Sequence, residues 1–259
     1  MNTRHGVMPQ FEVISALILR ETRTRFGAHQ LGYLWAFIEP ILWILTFHMM
    51  FTITGRSAPY GMDIVSFIAT GMIPYQIFRE TTERASKAVD ANKALLFYPQ
   101  VRPLDLVFSR AILEGLTLTT VLLVLLGFNG LVLGHWAVDD PLAVLGALTL
   151  STLFGCGFGL VVGALSVYSP SVPKIVGPML RPMFWISGIF FNANALPSSV
   201  RDAMLWNPML HIVELSRGAY FSSYQAEHAS IHFVCTWIIS LLAVGLLLER
   251  SARRRLEVT

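Results

Sequence analysis

Six apolar runs, each bounded by charged or turn-forming residues, dominate the hydrophobic pattern of the chain. A helix needs about 20 predominantly apolar residues to cross a hydrocarbon core of about 30 Å. The second run is short, and the third and fourth are long enough to tilt. We therefore predict an all-α integral membrane protein, with residues 1–259 forming a single transmembrane domain. The six predicted transmembrane helices are residues 33–54, 64–78, 104–133, 141–168, 172–191 and 231–248.

Three further segments are amphipathic but too polar to cross a membrane. Residues 1–30 combine an apolar helical face with arginines at one end, which predicts an N-terminal amphipathic helix lying in the membrane interface. Residues 79–102 have a charged body and an apolar, aromatic tip. Residues 195–223 contain two helix-like pieces separated at Asn207, because the residue before a proline disfavours helix. We predict two short helices there, dipping into the outer leaflet before the last span.

Composition and charge agree with a membrane protein and predict its orientation. The chain of 259 residues is 54% hydrophobic and 14% charged, which excludes an ordinary soluble domain. Fifteen of its 19 Lys and Arg residues lie in the N-terminal segment, in or beside the second and fourth loops, and in the C-terminal segment. The first, third and fifth loops hold only Arg56, Arg201 and Arg217. Because basic residues mark the cytoplasmic side, we predict that both termini are cytoplasmic.

Motifs for nucleotide hydrolysis or metal binding are absent from the sequence. The chain has no phosphate-binding loop of the form G-x-x-x-x-G-K-[ST], no H-E-x-x-H motif and no cysteine cluster. His228 and His232 stand four residues apart, but without a third ligand they are better explained as polar residues at the membrane edge. Glu214 and Arg217 could form an acid–base pair, although an ion pair within one helix is commoner. We predict no metal, cofactor or catalytic site in this chain.

Small residues recur at every fourth position of the predicted fourth span. Ser151, Gly155, Gly159 and Gly163 would form a groove into which the backbone of a neighbouring helix fits closely. The pattern is compatible with a contact inside the chain, which is the simpler case, and with a contact between two subunits.

The first and fifth predicted spans carry residues suited to a polar substrate. Glu39 and Arg181 lie beside prolines at membrane depth, where contact with lipid is costly, so both should face protein or water. The same spans are rich in aromatic residues, whose apolar faces stack on sugar rings, although many such residues are core or membrane-belt residues. The residues expected to line a substrate path are Trp35, Trp43, Phe190, Phe191 and Arg181.

Four stretches follow one another in an order typical of one transporter family. They are Leu-Gly-Tyr-Leu-Trp at 31–35 followed by Glu39, the stretch 92–103, Ser-Gly-Ile-Phe-Phe at 187–191, and the stretch 207–217. This order resembles the permease subunits of ABC-type polysaccharide exporters, particularly those for capsular polysaccharide. In that family the four stretches are the first-span signature, the cytoplasmic coupling helix, the fifth span and the periplasmic helices.

Two of these stretches bear on the subfamily. The run 187–191 is more similar to capsule exporters than to O-antigen exporters, which tend to have Ser-Pro there. The fifth span opens with Ser-Pro-Ser-Val-Pro at 169–173, whereas many O-antigen relatives have an Arg-Asp pair. The second feature is a departure that leaves the exact subfamily open.

The resemblance implies the fold and partners of an ABC type-2 exporter permease. Two copies would form a homodimer in the inner membrane of a Gram-negative bacterium, with two copies of a separate cytoplasmic ATPase that holds ATP and Mg. A periplasmic polysaccharide co-polymerase and outer-membrane export proteins are further implied partners, and nucleic acid is not. The tip of the 79–102 segment would insert into a cleft of the ATPase. The residues implied in this coupling are Asn92, Leu95, Leu96, Phe97 and Tyr98.

The implied substrate is a long, lipid-linked and usually acidic polysaccharide. Arg20, Arg23 and Arg25 would contact its phosphate or carboxylate groups, although the orientation rule alone also explains these arginines. Two other functions are compatible with the sequence. One is ABC export of another substrate, such as O-antigen, teichoic acid or a drug, and the other is an intramembrane transferase that acts on a lipid carrier.

Overall fold

A computed structural model describes the backbone of residues 4–26, 31–134 and 138–256. Within these ranges all regular structure is helical, as predicted. The side chains described are those of residues 10–24, 34–132, 134, and 138–252. The α-helices are α1 (Arg4–Phe26), α2 (Leu31–Ile53), α3 (Ile64–Ser86), α4 (Pro103–Leu133), α5 (Pro141–Ser166), α6 (Val172–Ile186), α7 (Ser198–Met204), α8 (Pro208–Tyr220) and α9 (Ile231–Leu256).

Four of the described helices are long and apolar enough to cross a membrane. The stretches are Leu34–Ile53, Pro103–Val132, Pro141–Ser166 and Ile231–Ala252, which match the first, third, fourth and sixth predicted spans. The helix α9 has 26 residues and continues past the predicted end of the last span at 248. At about 1.5 Å per residue it is about 39 Å long, so it is longer than the hydrocarbon core is thick.

The second predicted span, 64–78, is the first part of a longer helix. α3 starts where predicted but continues to Ser86. Ion pairs between residues one turn apart, such as Arg79 and Glu83 (3.3 Å), stabilise this extension. The charged, helix-compatible stretch predicted from residue 79 is therefore helical as far as residue 86, as a continuation of α3. The same charges set α3 apart from the four long apolar helices.

The fifth predicted span, 172–191, is helical only in its first part. α6 ends at Ile186, and Gly188 follows with a φ of +79°, a left-handed conformation that interrupts a helix. The 15 residues of α6 extend over about 22 Å. This length is less than the hydrocarbon core, and the rest of the apolar run forms a loop in which Ser187 and Ile189 are buried. The count of six transmembrane helices remains a prediction.

The small-residue stripe of α5 packs against α3 of the same chain. A Cβ atom added at Gly155 would lie 2.7 Å from the carbonyl oxygen of Phe78, and one added at Gly159 would lie 2.6 Å from Cβ of Ala85. Neither distance leaves room for a side chain, because protein interiors are already close-packed. The seam is thus a contact within the chain. It places α3 at the centre of the bundle, beside α4, α5 and α8.

One end of the bundle, here called the basic end, holds α1, residues 87–102 and the last turns of α9. A cavity of about 470 Å³ lies there, with Asp90, Lys93 and Glu249 among its lining residues. α1 is attached to α4 by an ion pair between Glu21 and Arg110 (3.1 Å) and by the buried side chain of Leu17. The predicted N-terminal segment, 1–30, is thus helical over α1, and its position in the membrane interface remains a prediction.

The segment 195–223 contains two short helices, α7 and α8, at the opposite end of the bundle. They are split at Asn207, whose side chain accepts a hydrogen bond from the backbone N–H of Met209 (3.0 Å). Pro208 occupies the first turn of α8, where its missing N–H does no harm. α8 is buried along most of its length against α3 and α5. It is therefore part of the core of the bundle.

Candidate functional site

An aromatic cluster joins α2 to the end of α6 and the loop that follows it. Trp43 and Phe47 stack with their ring centroids 5.7 Å apart, and Phe47 lies 4.5 Å from Phe190. Phe184 and Trp185 lie 5.6 Å and 5.3 Å from Phe190. Trp43 and Trp185 are exposed at the edge of the cluster, whereas Phe47 is buried. The structure thus brings together Trp43 and Phe190, two of the five predicted path residues.

The other three predicted path residues lie apart from this cluster. Trp35 is on the same helix as Trp43, eight residues earlier, which is about 12 Å along the axis. Its exposed ring forms one wall of a cavity between α2, α3 and α4. Arg181 is exposed on α6, and Phe191 is half-buried in the loop after α6. These five residues therefore do not form one continuous site within a single chain.

Arg217 of α8 holds the loop after α6 in place, a role that sequence reasoning did not predict. The side chain is fully buried, at 0% exposure. Its guanidinium donates hydrogen bonds to four backbone carbonyl oxygens, those of Gly188, Ile189 (2.6 Å), Phe191 (2.7 Å) and Phe67 (3.3 Å). It also lies over the ring of Phe67, 3.9 Å from the centroid.

These contacts explain why a loop, whose backbone N–H and C=O groups are not paired as in a helix, is stable inside an apolar bundle. The last carbonyl groups of a helix have no partner in that helix, and buried backbone groups without partners are costly. The guanidinium has five N–H donors in a rigid fork, so one side chain can satisfy several carbonyls at once. Arg217 therefore positions the backbone of the loop that carries Phe190 and Phe191.

Glu214 and Tyr224 complete the surroundings of Arg217. A carboxylate oxygen of Glu214 lies 3.9 Å from the Arg217 guanidinium on the same helix, and the Tyr224 hydroxyl donates a hydrogen bond to the other oxygen. Burial raises the pKa of Glu214, while Arg217 and Tyr224 oppose that shift. Burial also lowers the pKa of Arg217 to about 10, so Arg217 remains charged at neutral pH. The pair is an ion pair within one helix, which was the commoner of the two arrangements weighed from the sequence.

Four of the five predicted coupling residues lie in a 3₁₀ helix, Asp90–Phe97, at the basic end, and Tyr98 follows directly after it. Asn92 is buried, and its side-chain amide donates to the carbonyl oxygen of Ala88 (3.0 Å). Its side-chain oxygen accepts a hydrogen bond from Arg20 of α1 (3.1 Å). Asn92 thus links α1 to the 3₁₀ helix by hydrogen bonds inside the chain.

Within this segment the apolar side chains divide into two groups. Leu95 and Leu96 are half-buried and pack against a core cluster that includes Leu17 and Leu106. Phe97 and Tyr98 instead point outward, with exposed fractions of 88% and 59%. The surface available to a partner is therefore formed by Phe97 and Tyr98, with Leu95 and Leu96 behind them.

Arg20 and Arg23 are exposed along one side of α1. Together with Ala16, Leu19 and Thr24 they line a shallow, open depression. Arg20 is already bound to Asn92. The side chain of Arg25, the third predicted anion contact, lies outside the described residues. In the described part of the chain, no three His, Cys, Asp or Glu side chains cluster as metal ligands do.

Comparison with known proteins assigns the chain to a class. The family model for the ABC-2 type transporter matches residues 12–221. This match covers most of the chain, so the protein belongs to the ABC-2 type transporter family.

Individual relatives narrow this assignment. The chain is 33% identical over 249 residues to the polysialic acid transport protein KpsM of Escherichia coli, covering 96% of each chain. It is 31% identical over 252 residues to the capsule polysaccharide export inner-membrane protein BexB of Haemophilus influenzae, covering 96% of this chain and 94% of BexB. It is 30% identical over 246 residues to CtrC of Neisseria meningitidis, which carries the same description, covering 93% and 91%. The predicted resemblance to capsule export permeases is confirmed, and the chain is a multi-pass inner-membrane subunit of that kind.

Proposed function

We propose that this chain is the membrane subunit of an ATP-driven exporter that moves a lipid-linked, acidic capsular polysaccharide across the inner membrane. The observation that carries the proposal is the match to a polysialic acid transport protein along 96% of both chains. The exposed rings of Trp43 and Trp185, at the edge of the aromatic cluster, support it, because exposed aromatic faces suit the apolar faces of sugar rings. The path for the polymer runs past Trp35, Trp43, Phe190, Phe191 and Arg181.

The proposed assembly is a homodimer with six crossings in each chain and with both termini in the cytoplasm. Low burial alone does not distinguish a partner from lipid, since the apolar stretches of α2 and α9 are 22% and 17% buried inside the chain, but α2 also exposes a charged residue, which supports a partner on that helix. Glu39 is exposed on the same helix, and a carboxylate facing lipid would be costly. In this arrangement the second copy and the substrate path shield Glu39 from lipid.

The motor of this exporter is a separate ATPase that binds ATP and Mg and docks at the basic end. Phe97 and Tyr98 insert into a cleft of the ATPase, while Asn92, Leu95 and Leu96 hold the segment on the bundle and transmit its movement. The exposure of Phe97 supports this role, because a solvated loop gains nothing from a protruding aromatic ring. A periplasmic co-polymerase and outer-membrane export proteins continue the path beyond the inner membrane.

Arg23 and Arg25, with Arg20, contact the lipid-linked phosphate at the basic end. Arg23→Gln tests this contact, because it removes the charge and leaves the Arg20–Asn92 hydrogen bond intact. We expect slower export with unchanged membrane insertion, whereas Arg56→Gln on the opposite side leaves export unchanged. Normal export by Arg23→Gln and by Arg25→Gln would remove the recognition role.

The function as a whole is tested by deleting the gene. We expect polysaccharide to accumulate inside the cell and to disappear from the surface, measured by immunogold labelling and by sugar analysis of cell fractions. The gene restored on a plasmid should return the polymer to the surface. A mutant that still displays normal surface polysaccharide would exclude this function.

A further inference from the structure

Two side chains of opposite charge lie on the exposed faces of α2 and α6. Glu39 is inside the apolar stretch of α2, and Arg181 is inside α6 beside Pro182. Both are exposed, and neither side chain forms a hydrogen bond or ion pair with any residue that the structure describes. A charged side chain at membrane depth almost always faces protein or water. Each of the two charges therefore requires a counter-charge or a polar environment from outside the chain.

The helices that carry these charges run in the same direction through the bundle. Pro170 and Pro173 line the cavity at the basic end, so α6 begins at that end. Ser86, the last residue of α3, lines the same cavity, so α3 runs towards the basic end. Trp35, near the start of α2, shares a second cavity with Arg84, near the end of α3. α2 therefore also begins at the basic end.

The aromatic cluster fixes the relative depth of the two charges. The ring of Phe47 on α2 lies 6.1 Å from the ring of Phe184 on α6. Glu39 precedes Phe47 by eight residues, which is about 12 Å along the helix axis. Arg181 precedes Phe184 by three residues, which is about 4.5 Å. The two charges thus differ in depth by about 7.5 Å. Arginine has the longer side chain and leans towards the N-terminus of its helix, so its guanidinium approaches the depth of Glu39.

The symmetry of a homodimer makes these charges complementary. Copies of one chain insert with the same orientation, so the two-fold axis runs along the membrane normal and preserves depth. A two-fold interface is self-complementary, because the surface that one copy offers is also the surface that it receives. α2 packs on α1, α3 and α4, and α6 packs on α3 and α5, which leaves one face of each helix uncovered by the chain. Opposite charges at similar depth on two such adjacent faces satisfy the requirement for self-complementarity.

We propose that a second copy of the chain covers these faces and that Glu39 of each copy forms an ion pair with Arg181 of the other. This inference rests on the proposed function, since it takes the homodimer of the exporter as its setting. The guanidinium has five N–H donors, so Arg181 can bind the carboxylate and still offer donors to an acidic polymer. The pair stabilises association of the copies and not the fold of each chain, because neither side chain is bonded to another described residue of its own chain.

The test reverses one charge in each of two copies. Glu39→Arg and Arg181→Glu each place like charges opposite one another, so either variant alone should dimerise at least about tenfold more weakly. When the two variants are expressed together, both pairs of the mixed dimer again join opposite charges, and dimerisation should recover. A pair within one chain would not recover in this way, since each chain would still hold two like charges. Dimers are measured by co-purification of copies with two different affinity tags, at matched abundance in the membrane.

Two charge reversals elsewhere serve as controls. Lys174→Glu, at the start of α6, and Glu227→Arg, after α8, alter exposed residues and should dimerise like the wild type. If both single variants dimerise normally, the ion pair does not exist. If recovery occurs only when Glu39→Arg and Arg181→Glu are combined in one chain, the pair lies within the chain and the assignment to a second copy is wrong.

Cross-linking provides a measurement that does not depend on the stability of the charge-reversed variants. One tagged copy carries Glu39→Cys, and a copy with a different tag carries Arg181→Cys. A short reagent that reacts with two thiols should join them into a covalent dimer that carries both tags. The wild type, whose cysteines are Cys156 and Cys235, and the combination of Glu227→Cys with Arg181→Cys should give none.

The outcomes separate this inference from the proposed function. If the tagged copies co-purify but no covalent dimer forms, the pair is wrong and the homodimer stands. If wild-type copies with the two tags do not co-purify, the homodimer is wrong as well. Gene deletion tests the polysaccharide substrate independently of both results, because its readout is the polymer at the cell surface.

Discussion

Arg217 and Glu39 are two charged residues of this bundle with opposite surroundings. Arg217 is fully buried, and four carbonyls, a carboxylate and an aromatic ring of the same chain surround it. Glu39 is exposed on α2, and none of the described residues forms a hydrogen bond or ion pair with it. The polar groups around Arg217 find their partners within one chain, whereas Glu39 requires a partner or a polar environment from outside the chain. Stability should therefore depend on the Arg217 region, and transport should depend on the α2 side and the basic end.

Substitution of Arg217 should have the largest effect on stability. Arg217→Met leaves Glu214 and four carbonyls without their partner, and breaking a buried pair costs about 3–5 kcal/mol. Arg217→Lys should recover little, because an ammonium group has only three N–H donors on a single nitrogen and cannot bond all four carbonyls. The measurement is the thermal unfolding midpoint of the detergent-purified protein, together with its abundance in the membrane.

Two control variants show whether the loss of stability is specific to Arg217. Arg56→Met removes an exposed arginine that lies over Phe51 (5.9 Å), and Glu39→Ala removes the exposed carboxylate of α2. Both should change the free energy of unfolding by less than about 0.5 kcal/mol. An unfolding midpoint of Arg217→Met equal to that of Arg56→Met would show that the carbonyl contacts do not hold the fold.

After Arg217, the contact between α3 and α5 should be the feature whose substitution lowers stability most. Gly159→Val places methyl groups where a Cβ alone would already lie 2.6 Å from Ala85, and overpacking of this kind costs about 1–3 kcal/mol. Gly146→Val on the same helix is the matched control, because no atom lies within 4 Å of its added Cβ. The two variants are compared by their thermal midpoints. Equal thermal midpoints for the two variants would mean that α3 and α5 can move apart at this position without loss of stability.

At the basic end we expect association rather than stability to change. Phe97→Ala removes an exposed ring, so it should leave the thermal midpoint unaltered and weaken binding of the ATPase about tenfold, which is about 1.4 kcal/mol. Leu96→Ala removes a half-buried side chain and should lower the midpoint as well. Co-purification of the ATPase at increasing dilution measures the association.

The control for this experiment is Phe128→Ala, which removes an exposed ring from α4. It should leave both the midpoint and the association unchanged. If Phe97→Ala also binds the ATPase normally and supports export, the coupling assignment is wrong.

Features that depend on local sequence could be predicted, whereas contacts between residues far apart in the chain could not. α2, α4, α5 and α9 were predictable because their spans depend on local apolar length. The approach of α5 to α3 was visible in the spacing of its small residues, although the identity of the partner helix was not. The aromatic tip at Phe97 and Tyr98 was visible in the sequence, and its coupling role remains a prediction. The hydrogen bond between Arg20 and Asn92 was not visible, because it joins residues far apart in the chain.

The Arg217 site could not be predicted because its partners are backbone atoms of distant residues. Carbonyl groups are present at every position, so no side-chain pattern marks those of Phe67 or Gly188. One signal was available, since Arg217 is one of only three basic residues in the loops predicted to be periplasmic. The end of α6 before residue 191 follows from the same contacts, because the arginine stabilises the non-helical backbone there.

The smallest predicted effect concerns Tyr224. Its hydroxyl donates a hydrogen bond to Glu214, and both groups are buried, so Tyr224→Phe leaves one carboxylate oxygen without a donor. Loss of such a bond costs about 1–3 kcal/mol, and the value should lie at the low end because Arg217 still neutralises the charge of Glu214. Tyr60→Phe, an exposed tyrosine whose ring contacts that of Tyr224 at 5.4 Å, is the control and should be neutral. A larger loss of unfolding free energy for Tyr224→Phe than for Arg217→Met would mean that Glu214, and not Arg217, is the main stabilising residue of this buried cluster.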